Sequence, residues 1–207
     1  MLALGAVAFA APSAQASITI ASVTPGTVPY SGPTPTYDFE SPAPASGGLI
    51  RTDSPGGIAA QPYGSTGAYW TVGPSDGTPG ILDLTSFGDI FNISFIWGSV
   101  DEYNLLEFLD VDGNVLASFG GTAIYNPANG NQGDPNTNPV VRFDVTGTDV
   151  SALARLRLSS TANAFETDNF AINAVPEPTT WMTMLFGFGA IGFGMRRRKA
   201  LLSLQVA

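Results

Sequence analysis

The sequence predicts an all-β fold, a β-sandwich of jelly-roll order, followed by one C-terminal transmembrane helix. Phe91, Ile93, Phe95 and Trp97 alternate with Asn92 and Ser94, the two-residue period of a strand that lays one face on a core. Short segments of this kind recur between turn signals with no helical periodicity separating them, so two amphipathic sheets must bury each other's apolar faces. Near the end, an uncharged run over 178–195 meets Arg196-Arg197-Arg198-Lys199, the pattern of a membrane span with a basic stop.

Taken in order, Ile18 to Val23 is the first strand candidate. Residues 22–80 are dense in Pro, Gly, Ser and Thr, with turns at Pro25-Gly26, Pro55-Gly56-Gly57 and Pro79-Gly80 and a loop-like stretch over 29–48. Short strands are inserted there at Tyr37–Glu40 and Gly67–Val72. After Phe91–Trp97, Tyr103 to Asp110 reads as a strand, and Asp112-Gly113-Asn114 as a tight turn into Val115 to Phe119. Asp110 and Asp112 lack the later ligands and closing glutamate of a calcium loop, so that segment is a turn. A Gly-, Asn- and Pro-rich loop from Tyr125 to Pro139 leads to strands at Val140–Val145, Ala154–Ser159 and Phe165–Ile172, with one helical turn at Asp149–Leu153. Val141, Phe143 and Val145 share a face, and Leu156 and Leu158 oppose Arg155 and Arg157. Trp70, Trp97, Phe95, Phe108, Phe119 and Phe143 are the expected core.

Both ends carry targeting features. Residues 2–11 are small and apolar, and Ala14-Gln15-Ala16 supplies an Ala-x-Ala site, so residues 1–16 read as a signal peptide cleaved before Ser17. The first base is Arg51; a start upstream of Met1, an internal start codon and a weak signal all fit that. At the other end, 18 uncharged residues reach roughly 27 Å as a helix, close to a hydrocarbon core of roughly 30 Å. This places a transmembrane helix over 179–195, with Trp181 at the outer interface and a cytoplasmic tail over 200–207.

Between the ends, residues 17–175 form one extracytoplasmic domain, long enough for a sizeable core. It holds four bases against sixteen acids, a net charge of −12. Such a surface repels a nucleic-acid backbone. The chain has no cysteine and no histidine, which removes disulfides, thiol chemistry, zinc sites of the usual kind and His-dependent triads. Asp101, Glu102 and Glu107 show no spacing that selects a glycosidase carboxylate pair, and Gly120-Gly121 is not followed by the Lys-Ser/Thr of a phosphate loop.

Pro176-Glu177-Pro178, Trp181 three positions on, the Gly-Phe-Gly centre and the Arg-Arg-Arg-Lys cluster resemble the PEP-CTERM sorting signal of Gram-negative bacteria, in its tryptophan-containing variant. Met182 stands where alanine is usual, and residues 200–207 extend beyond the basic cluster. The resemblance implies a sorting signal over 176–199, an exosortase as partner, recognition through Pro176, Glu177 and Pro178, and a stop signal at Arg196, Arg197 and Arg198. It further implies transient anchoring in the inner membrane as a precursor, then release to the cell surface or extracellular matrix.

A second stretch, Phe95-Ile-Trp-Gly-Ser-Val-Asp-Glu-Tyr-Asn104, is similar to a segment of exported PEP-CTERM proteins with a galactose-binding-like or lectin-like sandwich. That similarity implies first and last strands that meet, bringing Asp38-Phe39-Glu40 close to Glu166-Thr167-Asp168-Asn169. Calcium takes six to eight oxygen ligands, so Glu40 and Asp168, with Asp38 and Asn169 as alternates, are candidate ligands of a structural calcium ion. The other reading is that Asp168 and Asn169 cap a turn while Glu40 faces water. A sugar site needs aromatic faces with polar groups beside them; Asp101, Tyr103, Asn104 and the loop residue Tyr125 are its candidates, whereas Trp97 shares the core side of its strand. The functional expectation is an exported, non-enzymatic protein of the cell envelope or biofilm matrix. The alternative is a carbohydrate-binding module for extracellular polysaccharide.

Overall fold

The computed structural model describes residues 17–175, 183–189 and 191. Its strands are β1 (Ser17–Thr24), β2 (Ala45–Ser46), β3 (Leu49–Arg51), β4 (Tyr69–Val72), β5 (Gly80–Asp83), β6 (Ile90–Gly98), β7 (Asn104–Leu109), β8 (Val115–Gly120), β9 (Val140–Thr146), β10 (Arg155–Ser160) and β11 (Phe165–Ala174). Single helical turns α1 (Gly121–Ile124) and α2 (Asp149–Ala152) lie between them. The strands form two antiparallel sheets, a six-stranded one in the order β1-β9-β6-β11-β4-β3 and a five-stranded one in the order β2-β5-β10-β7-β8.

The sheets stack because their inner faces are apolar at every second residue. Val141, Phe143 and Val145 of β9 are buried while Arg142 and Thr146 are exposed, and Leu156 and Leu158 of β10 are fully buried. Phe143 joins the layers: its ring lies 6.2 Å from Phe95 in its own sheet and 5.0 and 4.9 Å from Phe108 and Phe119 in the other. Around it, Phe170 stacks on Phe95 at 4.6 Å and Trp97 on Phe165 at 4.3 Å. Of these seven aromatics, Phe95, Trp97, Phe108, Phe119 and Phe143 belong to the core expected from the sequence. Phe119, on edge strand β8, is only partly buried.

The Pro- and Gly-rich early segment is less simple. It contributes the short strands β2 and β3, which its turn composition hides, and β5 follows immediately on the Pro79 turn. The expected strand at Tyr37–Glu40 reduces to one bridge, Tyr37 to Phe170. Phe39 explains this, since its φ of 59° lies in the left-handed region and cannot continue an extended chain. The early segment at Asp38-Phe39-Glu40 does meet the last strand, since Tyr37 and Phe170 exchange backbone hydrogen bonds. β1 itself forms an edge beside β9, with β9 and β6 between it and β11 in the same sheet. Neither sheet closes into a barrel.

The expected transmembrane helix is a second correction. Within 179–195 the described residues 183–189 and 191 are helical and exposed. Among the described residues no helix is long and apolar enough to cross a membrane. The expected membrane span and the inner-membrane-anchored precursor therefore lose their basis. The signal peptide over 1–16, the box residues Pro176, Glu177 and Pro178, Trp181, Arg196, Arg197, Arg198 and the tail over 200–207 lie outside the described residues.

Because Phe143 is fully buried where the two sheets meet, Phe143→Ala should destabilise the fold by about 3–5 kcal/mol, as large-to-small core changes do. Equilibrium unfolding in guanidinium checks this, and a loss below about 1 kcal/mol would show that the aromatic seam is not what joins the layers.

Candidate functional site

Glu166 and Asp168 are two residues apart on β11 and therefore share a face, the one opposite Phe165 and Thr167. On an open sheet that face would be solvated. Here residues 53–68 fold across it: Pro62 presses on Gly98, where an added Cβ would lie 2.7 Å from the proline ring, and Ile58 and Ala59 pack with Tyr69 and Ala164. Both carboxylates are consequently only 1% exposed.

Each buried oxygen finds a donor. Glu166 Oε1 accepts from the Ala60 N–H at 2.9 Å, and Oε2 accepts from the Ser99 hydroxyl at 2.7 Å. Asp168 Oδ2 accepts from the Ser65 hydroxyl at 2.7 Å, and Oδ1 from the Asn169 N–H at 2.7 Å. Glu40 accepts from the Ala68 N–H, and Asp38 Oδ1 accepts from the Glu40 N–H at 3.2 Å. Ser99, Asn169 and Phe39 all hold positive φ, 35°, 56° and 59°, so the backbone around these carboxylates is bent into conformations that L-residues rarely adopt.

The electrostatics follow from this burial. Desolvation pushes the Glu166 carboxyl up to about 7; the Ser99 and Ala60 hydrogen bonds oppose the shift and the Asp101 charge adds to it. Burial likewise pushes Asp168 up to about 7, against the Ser65 and Asn169 bonds and with the charges of Asp38 and Glu40 reinforcing it. Asp38, Glu40, Asp168 and Asn169 are thus brought near one another. Among the described residues, however, no three His, Cys, Asp or Glu side chains converge on a point that could hold a metal ion.

Beside Glu166 opens a polar cleft of about 180 Å³, lined among others by Asp101, Tyr103, Asn129, Gln132, Asn163 and Glu166. The Tyr103 hydroxyl lies 2.7 Å from Asp101 Oδ2 and 2.9 Å from the Asn163 carbonyl, and its proton serves those acceptors. Burial raises both the Asp101 carboxyl and the Tyr103 phenol above their ordinary values. Asn104 is buried behind the cleft and spent on structure: its Oδ1 accepts from the Asp101 N–H and the Trp97 indole, and its Nδ2 donates to Ser160 Oγ and the Ala164 carbonyl. Tyr125 caps α1 and packs on the core, away from the cleft lining. Of the four predicted ligand-binding residues, the cleft gathers Asp101 and Tyr103.

Glu166 is the buried carboxylate of the cleft that sequence reasoning passed over. It was visible within Glu166-Thr167-Asp168-Asn169, yet an acid alternating with apolar residues on a strand reads as solvent-facing. Only the overlying segment buries it.

The sheet ends as this geometry runs out: Ala174 pairs with Ile90, and Val175 donates to the Asp89 carbonyl at 2.9 Å. From that point the chain defines an exported, sorted protein of the cell envelope. The element that does so is a PEP-CTERM protein-sorting motif, whose family model matches residues 174–199. The motif ties the chain in general terms to exosortase-type sorting. No curated protein and no solved structure matches the chain.

Because folding raises both carboxyls, the folded state holds their protons more tightly than the unfolded chain. Their contribution is fully present below about pH 4 and is lost as pH rises through about 7. Denaturant midpoints should therefore fall between pH 5 and pH 8. Glu166→Gln, which keeps the shape without the charge, should recover stability on the order of 2–3 kcal/mol at pH 8. Midpoints that coincide in wild type and variant at pH 8 would contradict this account.

Proposed function

We propose that the protein is a non-enzymatic component of the cell envelope or extracellular matrix, delivered there through its C-terminal motif. The observation that carries this reading is the sorting motif at 174–199, which begins at the last residue of β11. The chemistry of the domain agrees with it. The two carboxyls most altered by burial, Glu166 and Asp168, are each engaged by backbone and hydroxyl donors in positions that hold the covering segment down.

A second reading, a carbohydrate-binding module for extracellular polysaccharide, is favoured by one specific observation. The cleft sets Asp101 and Tyr103 beside the amides of Asn129, Gln132 and Asn163, polar groups of the kind that hold sugar hydroxyls in place. The galactose-binding-like or lectin-like character of the sandwich belongs to this reading.

Within the motif, Glu177 stands between Pro176 and Pro178 and is the charged member of the box that an exosortase would read. In a host with a cognate exosortase, Glu177→Ala should abolish delivery of the processed form to the surface. Intact-mass analysis of surface protein tests this; a wild-type surface form that still carries residues 181–207 would overturn the processing step.

A further inference from the structure

We propose that the cleft between Asp101 and Glu166 binds the primary ammonium group of an unacetylated amino-sugar unit. The inference rests on the carbohydrate-binding reading and names the ligand class of that same cleft.

The argument is an inventory of protons. Among the described residues no Lys or Arg lines the cleft. Of the side-chain protons in the lining, those of Ser99, Tyr103 and Asn163 are already given away: that of Ser99 to Glu166, that of Tyr103 to Asp101 and the Asn163 carbonyl, and those of the Asn163 amide to the Gly57 carbonyl at 3.2 Å and Ser75 Oγ at 2.8 Å. The two carboxylates keep acceptor capacity to spare. Among the described residues Asp101 Oδ1 receives no hydrogen bond, and each Glu166 oxygen accepts one bond where a carboxylate oxygen has lone pairs for two. A complementary ligand must therefore bring donors and positive charge. An ammonium group supplies three N–H donors and the missing counter-charge.

The space is kept open in a specific way. Gly130, at φ 63°, passes against the Asp101 carboxylate, and a Cβ there would lie 2.3 Å from Oδ1. Any larger residue would fill the position the ammonium takes. A divalent cation suits the cleft less well, since it needs six or more oxygens and no three carboxylates converge among the described residues. The choice of an amino sugar over a simple amine comes from Asn129 and Gln132 in the lining, whose amides offer both donors and acceptors to ring hydroxyls. The acids and phenols facing Glu166 are Asp101, Tyr69 and Tyr103, and no base sits in the lining to compete with the ligand.

The test is titration calorimetry of the full-length protein with glucosamine, N-acetylglucosamine, glucose and methylamine. Glucosamine should bind, with the other three at least tenfold weaker. Glu166→Gln and Asp101→Asn should each weaken it tenfold or more while circular dichroism stays unchanged. At pH 6.5 binding should release a proton, detected in buffers of different ionisation enthalpy, and Glu166→Gln should abolish that release. Equal binding of the three sugars would overturn the ammonium inference and leave the carbohydrate reading standing. Methylamine binding as tightly as glucosamine would overturn the amino-sugar assignment, and no binding by any of the four would remove both readings.

Discussion

Burial of two carboxylates on the outer face of β11 is the constraint around which the covering segment is built. A polar group taken out of water without a partner costs several kcal/mol, and a charge far more. The sheet itself offers no donors on that face, because its N–H groups are spent in the ladder. The donors come instead from irregular chain: the Ala60 N–H, the hydroxyls of Ser65 and Ser99, and, for neighbouring Glu40, the Ala68 N–H. This gives the Pro-, Gly- and Ser-rich composition of residues 53–68 a physical role. A regular element would have consumed the very N–H groups that the carboxylates need. Gly67 and Gly98 let the backbones approach closely, since a Cβ at either would collide with Glu40 or Pro62.

Side-chain amides extend the same solution across the loops. Asn138 Oδ1 accepts from the Tyr63 N–H in the covering segment and from the Ser99 N–H at the end of β6, while its Nδ2 donates to the carbonyls of Asn131 and Asp134. One side chain thus ties three separate stretches of backbone together. Asn104 does the same behind the cleft, joining Asp101, Ser160 and Ala164. In a chain without cysteine, long loops cannot be closed by disulfides. These buried amides fix them, because each can donate and accept at once. The rigidity of the cleft walls follows from this network.

The residues that could be read from sequence are those whose environment is set by local periodicity. β6, β9 and β10 were legible because Phe95, Phe143 and Leu156 alternate with polar neighbours, and the turn at Asp110 was legible because Asp110 Oδ1 accepts from the N–H groups of Asp112 and Asn114. β2, β3 and β5 were not, since two to four residues beside Gly and Pro carry too little pattern to reveal a period. Glu166 escaped for a different reason. Its burial depends on chain roughly a hundred residues earlier, at Ala60, and no local signal encodes that. The expected membrane span is overturned on a related ground: the hydropathy of 179–195 describes composition, and among the described residues no helix is long and apolar enough to cross a membrane. Asp101 and Tyr103, named for their residue types, line the cleft, whereas Asn104, chosen with them, belongs to the interior.

The junction between domain and motif shows how the two halves of the chain are coupled. β11 pairs with β6 from Glu166 to Ala174, and Val175 still donates to Asp89 while accepting from Gly88. Pro176 follows at once, and a proline has no N–H with which to continue a ladder. The sorting motif is therefore joined to the sheet without an intervening linker, through the strand that carries both buried carboxylates. Whatever loosens the outer face of β11, ionisation of Glu166 and Asp168 included, acts on the same strand from which the motif extends.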